Sequence, residues 1–396
     1  MIDSIKSLSH QFAADTVATR RHLHAHPELS FNEYNTARYV ADQLRAIGLN
    51  PQEGVANTGV VALIEGTKTG AGRVIGLRAD MDALPIREAN DVSYKSTVEG
   101  VMHACGHDAH TASLLSTARI LQTLRNEFSG IIKLVFQPAE EKAPGGASLM
   151  IKDGVLENPA PGAMLGQHVA PNIPVGKIGF REGMYMASTD EIFMTIKGKG
   201  GHGAMPDQLI DPVLIASYII VAMQQIVSRN RPPASPSVLS FGRFIADGIT
   251  NVIPNEVKIE GTFRCMNEQW RAEGLHRIQK LAEGMAEAMG GICEFERVKG
   301  YPYLQNHPEL TRRTRASTVA YMGIENVVDL DLWMAGEDFA FYSQIVDSCF
   351  YRLGTRNESR GITSGVHTPT FDIDETALEI GPGLMAWLAV EELGKE

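Results

Sequence analysis

The chain has 396 residues, 44% of them hydrophobic and 21% charged, a globular composition long enough for two domains with separate cores. Its net charge of −11 argues against nucleic acid or an anionic membrane as a main partner. Cys105, Cys265, Cys293 and Cys349 lack the spacing of a disulfide framework. The start, Met1-Ile2-Asp3-Ser4-Ile5-Lys6, has no signal-peptide pattern, and no apolar run is read as approaching the roughly 18–20 residues of a bilayer span. A cytoplasmic, membrane-free protein is the expectation.

In chain order, a helical pattern runs to about Leu23 and ends near Pro27; His22, His24 and His26 alternate there and read as a polar helix end. An amphipathic helix is predicted over 36–47, then strands over 60–64 and 74–78. The second strand leads into Asp80-Met81-Asp82. Two acids one residue apart at a strand end share a face, where Asp82 can orient a ligating histidine; an acidic turn fits the same residues. Next comes His103-Ala104-Cys105-Gly106-His107-Asp108-Ala109-His110, which puts a thiol and three imidazoles in eight residues. Cys and His suit zinc, and imidazole other transition metals, although a histidine-rich loop capping a helix that begins near residue 111 is the plainer reading.

A buried strand over 131–136 delivers Gln137-Pro138-Ala139-Glu140-Glu141. Adjacent carboxylates at the end of an apolar strand are costly without a positive partner. A metal pair compensates them, and lets one carboxylate ligate while the other takes a proton from water. The run 163–169 is another strand, ending at His168. From Asp190 the pattern is strand, helix, strand, strand, helix, strand, a ferredoxin-like βαββαβ unit inserted before α/β material resumes at the 308–322 helix. The expected organisation is residues 1–184 and 299–396 as a catalytic domain, with 185–298 as an inserted lid. Within the lid, Gly198-Lys199-Gly200-Gly201-His202-Gly203 matches a dinucleotide fingerprint, but Pro206 follows and no helix opens there. The glycines instead present His202 on a loop. His367, before Pro369, joins Cys105, His107, Glu141 and His168 as a five-ligand set fit for a two-metal hydrolase.

Arg21, His24, Pro27-Glu28, Asp80-Met81-Asp82, the Cys105 loop, Gln137 to Glu141, Gly201-His202 and Val366-His367 occur in an order that resembles the N-acyl-amino-acid amidohydrolases. These include hippurate hydrolase, N-acetyldiaminopimelate deacetylase and indoleacetyl-amino-acid hydrolases, within the wider two-metal aminoacylases and carboxypeptidases. The resemblance spans essentially the whole chain. It implies an α/β fold, a mixed-sheet two-metal exopeptidase-like catalytic domain with a ferredoxin-like lid that makes a homodimer or higher homo-oligomer. It implies metal-dependent cleavage of N-acyl-L-amino acids (N-acetyl, N-benzoyl or similar), with small-peptide carboxypeptidase or dipeptidase activity as the alternative. Two divalent ions are implied, Mn2+ or Zn2+ foremost and Ni2+ or Co2+ as options. Cys105 is implied as the shared ligand, Glu141 and His367 as completing one ion, and His107 and His168 the other. Glu140 is implied as general base and His202 as oxyanion stabiliser. Asn251 and Arg264 are implied to meet the substrate carboxylate or the lid interface, with an asparagine turn and a surface salt bridge as the plainer readings. Asp80 stands where wider relatives carry a histidine ligand, and is expected only to support the site.

Overall fold

A computed structural model describes residues 1–70 and 72–395. Contacts divide it into two units. The first comprises Met1–Gly183, Gln305–Asp331 and the chain from Asp338 onward; the second comprises Met184–Leu304 and Leu332–Glu337.

The first unit is built on an eight-stranded mixed sheet. Its order is Gln52–Val55, Gly59–Glu65, Ile131–Gln137, Val74–Asp80, Ala163–Pro174, Ser348–Arg356, Ile178–Phe180 and Val327–Asp329. The Val74–Asp80 strand runs parallel to both neighbours, while Gly59–Glu65 pairs antiparallel with Ile131–Gln137. The central strands are buried along nearly their whole length, as a sheet covered on both faces requires. Helices α1 (Ile2–Ala25), α2 (Tyr34–Ala46) and α3 (His107–Thr123) join the Ala377–Leu393 helix around this core. That last helix is apolar on all sides and almost wholly buried.

The second unit is a four-stranded antiparallel sheet ordered Ser237–Ile245, Glu256–Cys265, Asp190–Lys197, Ile292–Lys299, with helices Pro212–Gln225 and Glu268–Ala288. This is the ferredoxin-like order expected for βαββαβ. Ile215, Ile219 and Met223 of one helix and Leu275, Ile278 and Ala282 of the other fill its core. One expectation needs correcting. Pro212–Asn230 is a helical stretch of 19 residues with mean hydropathy 1.3, long and apolar enough by composition to cross a membrane. In this unit part of it is core, and Leu214, Tyr218 and Val221 remain exposed on one face.

Two other readings shift. Helix α3 begins at His107, several residues before the expected start, because Gly106 in a left-handed conformation turns the chain directly into it. His24 is not a polar helix end. It is fully buried, its Nδ1 2.8 Å from Asp108 and its Nε2 3.2 Å from Glu88.

Candidate active site

Three adjacent parallel strands deliver the chemistry to one end of the sheet. Asp80 pairs in register with Gln137, and Arg78 with Gly166, so Asp80-Met81-Asp82, Glu140-Glu141 and His168 leave the sheet together. The carboxyl ends of parallel strands are where open α/β sheets form their sites. Asp82 is buried and organises the chain around it: its carboxylate accepts the backbone N–H groups of Glu140 and Glu141, each at 3.0 Å, and the Ser30 hydroxyl at 2.6 Å. His107 Nδ1 donates to the Asp82 backbone carbonyl at 2.8 Å and lies 3.2 Å from its carboxylate, which leaves Nε2 facing away.

The loop before α3 brings Cys105 into the same place. A Cβ at Gly106 would sit 2.5 Å from Val169 and 3.4 Å from Phe371, so close packing as well as the left-handed backbone demands glycine. His168 Nδ1 donates to the Val169 carbonyl at 2.7 Å, and its Nε2 comes within 3.5 Å of Cys105 Sγ. His367, also left-handed at φ 61°, donates its N–H to the Ala104 carbonyl and places Nε2 3.0 Å from Glu141 Oε1.

Among the clusters of ligand-type atoms lying within 4.8 Å of one another, some join Asp80, His107 and His110, or His107, Glu140 and Glu141, and two share Cys105: Cys105, His107 and His168, and Cys105, Glu141 and His367. These residues fit a pair of cations. His107 Nε2 and Glu141 Oε1 are buried without a hydrogen-bond partner, the latter despite His367 nearby. Orphaned polar atoms of this kind are costly unless something else satisfies them. A thiol, three imidazoles and a carboxylate are donors suited to transition metals. Glu140 is buried beside this set, and the Asp338 backbone N–H points at its Oε1 from 3.4 Å.

Electrostatics divide the donors. Burial raises the Cys105 thiol and lowers His168, which the Arg352 guanidinium lowers further. Burial opposes charge on His107, but Asp80 and Cys105 beside it raise its pKa well above the ordinary value. His367, half-exposed, is raised to about 10 by Cys105 and Glu141.

Asp80 is held chiefly by residues outside the ligand set, although its Oδ2 also lies 3.6 Å from His107 Nε2. It accepts from His110 Nδ1 at 2.6 Å and from Arg78 at 2.6 Å, and His110 Nε2 in turn accepts the Val169 N–H. Both nitrogens of His110 are thereby engaged. Arg78 also holds Gln137 and Asp338, and Asp338 accepts from Gln137 and the Ala147 N–H. Sequence reasoning missed Arg78 and Asp338. The available signal was an arginine inside an apolar strand, which requires buried acids around it.

In the second unit, His202 is exposed on a short strand pairing with Val252, and Asn251 accepts the Gly203 N–H on its backbone carbonyl. The structure thus puts His202 and Asn251 together. Arg264 is half-buried near the far end of the Glu256–Cys265 strand, its Nε donating to Thr262.

The model of peptidase family M20/M25/M40 matches residues 76–390. An N-acyl-L-amino acid amidohydrolase of Geobacillus stearothermophilus is 43% identical over 78% of this chain and 82% of its own. A thermostable carboxypeptidase of Saccharolobus solfataricus is 36% identical over 99% and 98%. A solved Bacillus subtilis protein described as a dinuclear metal binding peptidase superposes with a TM-score of 0.83 at 36% identity, covering 97% of this chain and 99% of that one. The chain belongs to peptidase family M20/M25/M40, and is a hydrolase of amide bonds.

Proposed function

We propose that this enzyme hydrolyses N-acyl-L-amino acids to a carboxylic acid and a free amino acid, using two divalent ions held by Cys105, His107, Glu141, His168 and His367. The observation that carries the reading is the pair of donor groups sharing Cys105, with His107 Nε2 and Glu141 Oε1 buried and unsatisfied. Thiolate and imidazole suit zinc, and the resemblance adds manganese, with nickel or cobalt as options. Bound there, such ions would supply Lewis acidity toward the acyl carbonyl and would lower the pKa of water so that it can give up a proton near neutral pH. Glu140 takes the proton of the attacking water and returns it to the leaving amine. Asp82 fixes the peptide from which Glu140 and Glu141 project and holds the tautomer of His107. Asp80 keeps His110 and Arg78 in place behind the ligands. The four cysteines are all unpaired, which suits a cytoplasmic setting.

His202 stabilises the oxyanion, and Asn251 and Arg264 meet the substrate carboxylate or the lid interface. His202 and Asn251 stand at one end of the Glu256–Cys265 strand and Arg264 near the other, a separation of roughly 25 Å at strand rise. That separation favours a homodimer in which the two sets serve different sites, or a role for Arg264 at the lid interface. The apolar stripe Leu214, Tyr218, Val221 and the edge strand Ser237–Ile245 are surfaces a second copy can cover.

The relative named as a carboxypeptidase supports a second reading, removal of C-terminal residues from small peptides on the same site. A metal-reconstituted screen of N-acetyl, N-benzoyl and indoleacetyl amino acids beside dipeptides separates the two. Glu140→Gln should abolish turnover while two ions per chain are retained; wild-type rates in that variant would remove Glu140 from the chemistry.

A further inference from the structure

The turn that aims Glu140 is held by a carboxylate that takes no part in the metal or proton chemistry above. The Ile131–Gln137 strand stops at Pro138, and Ala139 then adopts φ 51°, a left-handed backbone that L residues avoid. Ala139 is fully buried, so neither half of its backbone can turn to water. Its carbonyl accepts the Gly146 N–H at 2.9 Å, and its N–H donates to Glu33 Oε1 at 2.9 Å. Glu33 is fully buried as well. Its Oε1 also accepts the Phe31 N–H at 3.0 Å, and its Oε2 accepts the Thr58 hydroxyl at 2.7 Å. Three successive N–H groups, those of Ala139, Glu140 and Glu141, are therefore taken by two carboxylates, Glu33 and Asp82.

We propose that Glu33 is a positioning residue for Glu140: it holds Ala139 in the left-handed turn that sets the direction of the Glu140 side chain. Without it the Ala139 N–H is left buried and unpaired, and the backbone relaxes by leaving the left-handed region, which swings the Cα of Glu140. Glu141 is less affected, because its N–H stays on Asp82. The inference rests on the reading of Glu140 as the proton carrier, and predicts loss of rate with metal retained.

The test compares full-length, metal-loaded Glu33→Ala, Glu33→Gln and Glu140→Gln chains with wild type, on an N-acetyl amino acid. Glu33→Ala should lose about 100-fold in kcat, as a misplacement of about 1 Å does. KM should stay within about threefold and both ions should remain bound. Amide hydrogen exchange at Ala139, resolved by fragmentation mass spectrometry, should rise at least about tenfold. Glu33→Gln, whose amide oxygen still accepts, should restore the protection of Ala139 and bring kcat to within about tenfold of wild type. If Glu33→Ala does not fold, Glu33→Asp, which keeps the charge but retreats by one methylene, carries the same comparison. Wild-type kcat in the Ala or Asp variant, or a rate loss that Gln does not reverse, overturns the proposal. An active Glu140→Gln chain instead overturns the role of Glu140, and exchange at Ala139 then decides by itself whether Glu33 holds the turn.

Discussion

Arg20 is completely buried among three carboxylates; Glu375 is also held by Arg21 and Asp372 by Tyr94, so Asp108 is the one that depends on it most. Its Nε donates to Asp108 at 2.8 Å, its Nη2 to Asp372 at 2.8 Å and its Nη1 to Glu375 at 3.3 Å, while its guanidinium lies 4.9 Å from the centre of the Tyr94 ring. Among the described residues Asp108 is hydrogen-bonded besides only to His24, and its Oδ1 has no hydrogen-bond partner. Replacing Arg20 by Met keeps much of the volume but removes the charge, stranding a carboxylate at zero exposure. Removing one partner of a buried pair costs about 3–5 kcal/mol, against about 0–1 kcal/mol for a pair in water. At about 2–4 °C per kcal/mol for domains near this size, Tm should fall by about 6–20 °C in a thermal melt followed by circular dichroism. Adding Asp108→Asn should recover part of the loss, since the second change removes the stranded charge. A fall of less than about 2 °C in Arg20→Met, or strict additivity in the double variant, would show that water reaches this cluster and that the buried-pair reasoning is wrong.

Cys105→Ser should weaken binding of both ions together, because a serine hydroxyl is a poor anionic ligand near neutral pH; calorimetric titration in which a single ion is affected would break the idea of a shared thiolate. Glu33→Gln should also change the pH dependence of folding. Burial, with Asp82 nearby, raises the Glu33 carboxyl above 4.5, so its protonation favours the folded state and that contribution is lost as pH rises from 4.5 through the folded value. Urea melts should therefore show the stability of Glu33→Gln relative to wild type increasing across that window; a flat difference would mean the carboxyl is not perturbed. His202→Ala should cut kcat steeply with metal content and folding intact, and mixed dimers with Glu140→Gln chains should recover activity. Confirmed mixed dimers that stay inactive would exclude sharing across the interface.

The sequence made the strand-end chemistry legible because buried apolar runs that terminate in acids and histidines are rare outside sites. The Val74–Asp80, Ile131–Gln137 and Ala163–Pro174 strands each carry that signature, as the lid carries its βαββαβ rhythm. What escaped depended on distance along the chain. Arg78 meets Asp338 across 260 residues, and Arg20 meets Asp372 across 352, pairings that no local period encodes. The start of α3 was hidden for a different reason: its first turn is His107-Asp108-Ala109-His110, polar residues that are nonetheless buried, so the apolar stripe gives no sign of helix there. Leu332–Glu337 groups with the second unit although it lies far beyond the inserted stretch, since Ala187 donates its N–H to the carbonyls of Trp333 and Ala335. Position in sequence could not reveal that.

Counting acids does not tell a ligand from its supports; the partners of each carboxylate do. Asp80 is matched by Arg78 and His110, Asp82 by Ser30 and two backbone N–H groups, Asp338 by Arg78, Gln137 and Ala147, and Glu33 by Phe31, Thr58 and Ala139. Each is a buried acid whose oxygens are already met by donors, and at Glu33, where burial still outweighs them, the carboxyl is raised rather than compensated by an ion. Glu141 differs. Its N–H is fixed by Asp82, yet its Oε1 is buried with no hydrogen bond, 3.0 Å from His367 Nε2 and 3.9 Å from the equally unsatisfied His107 Nε2. Two imidazole nitrogens and a carboxylate oxygen converge there as ion-pair contacts, beside a thiol within reach of both candidate groups. A proton shared between His367 and Glu141 would leave the His107 nitrogen unsatisfied, whereas cations between the donors would satisfy each of them, so Glu141 rather than Asp80 is the acid proposed as a ligand.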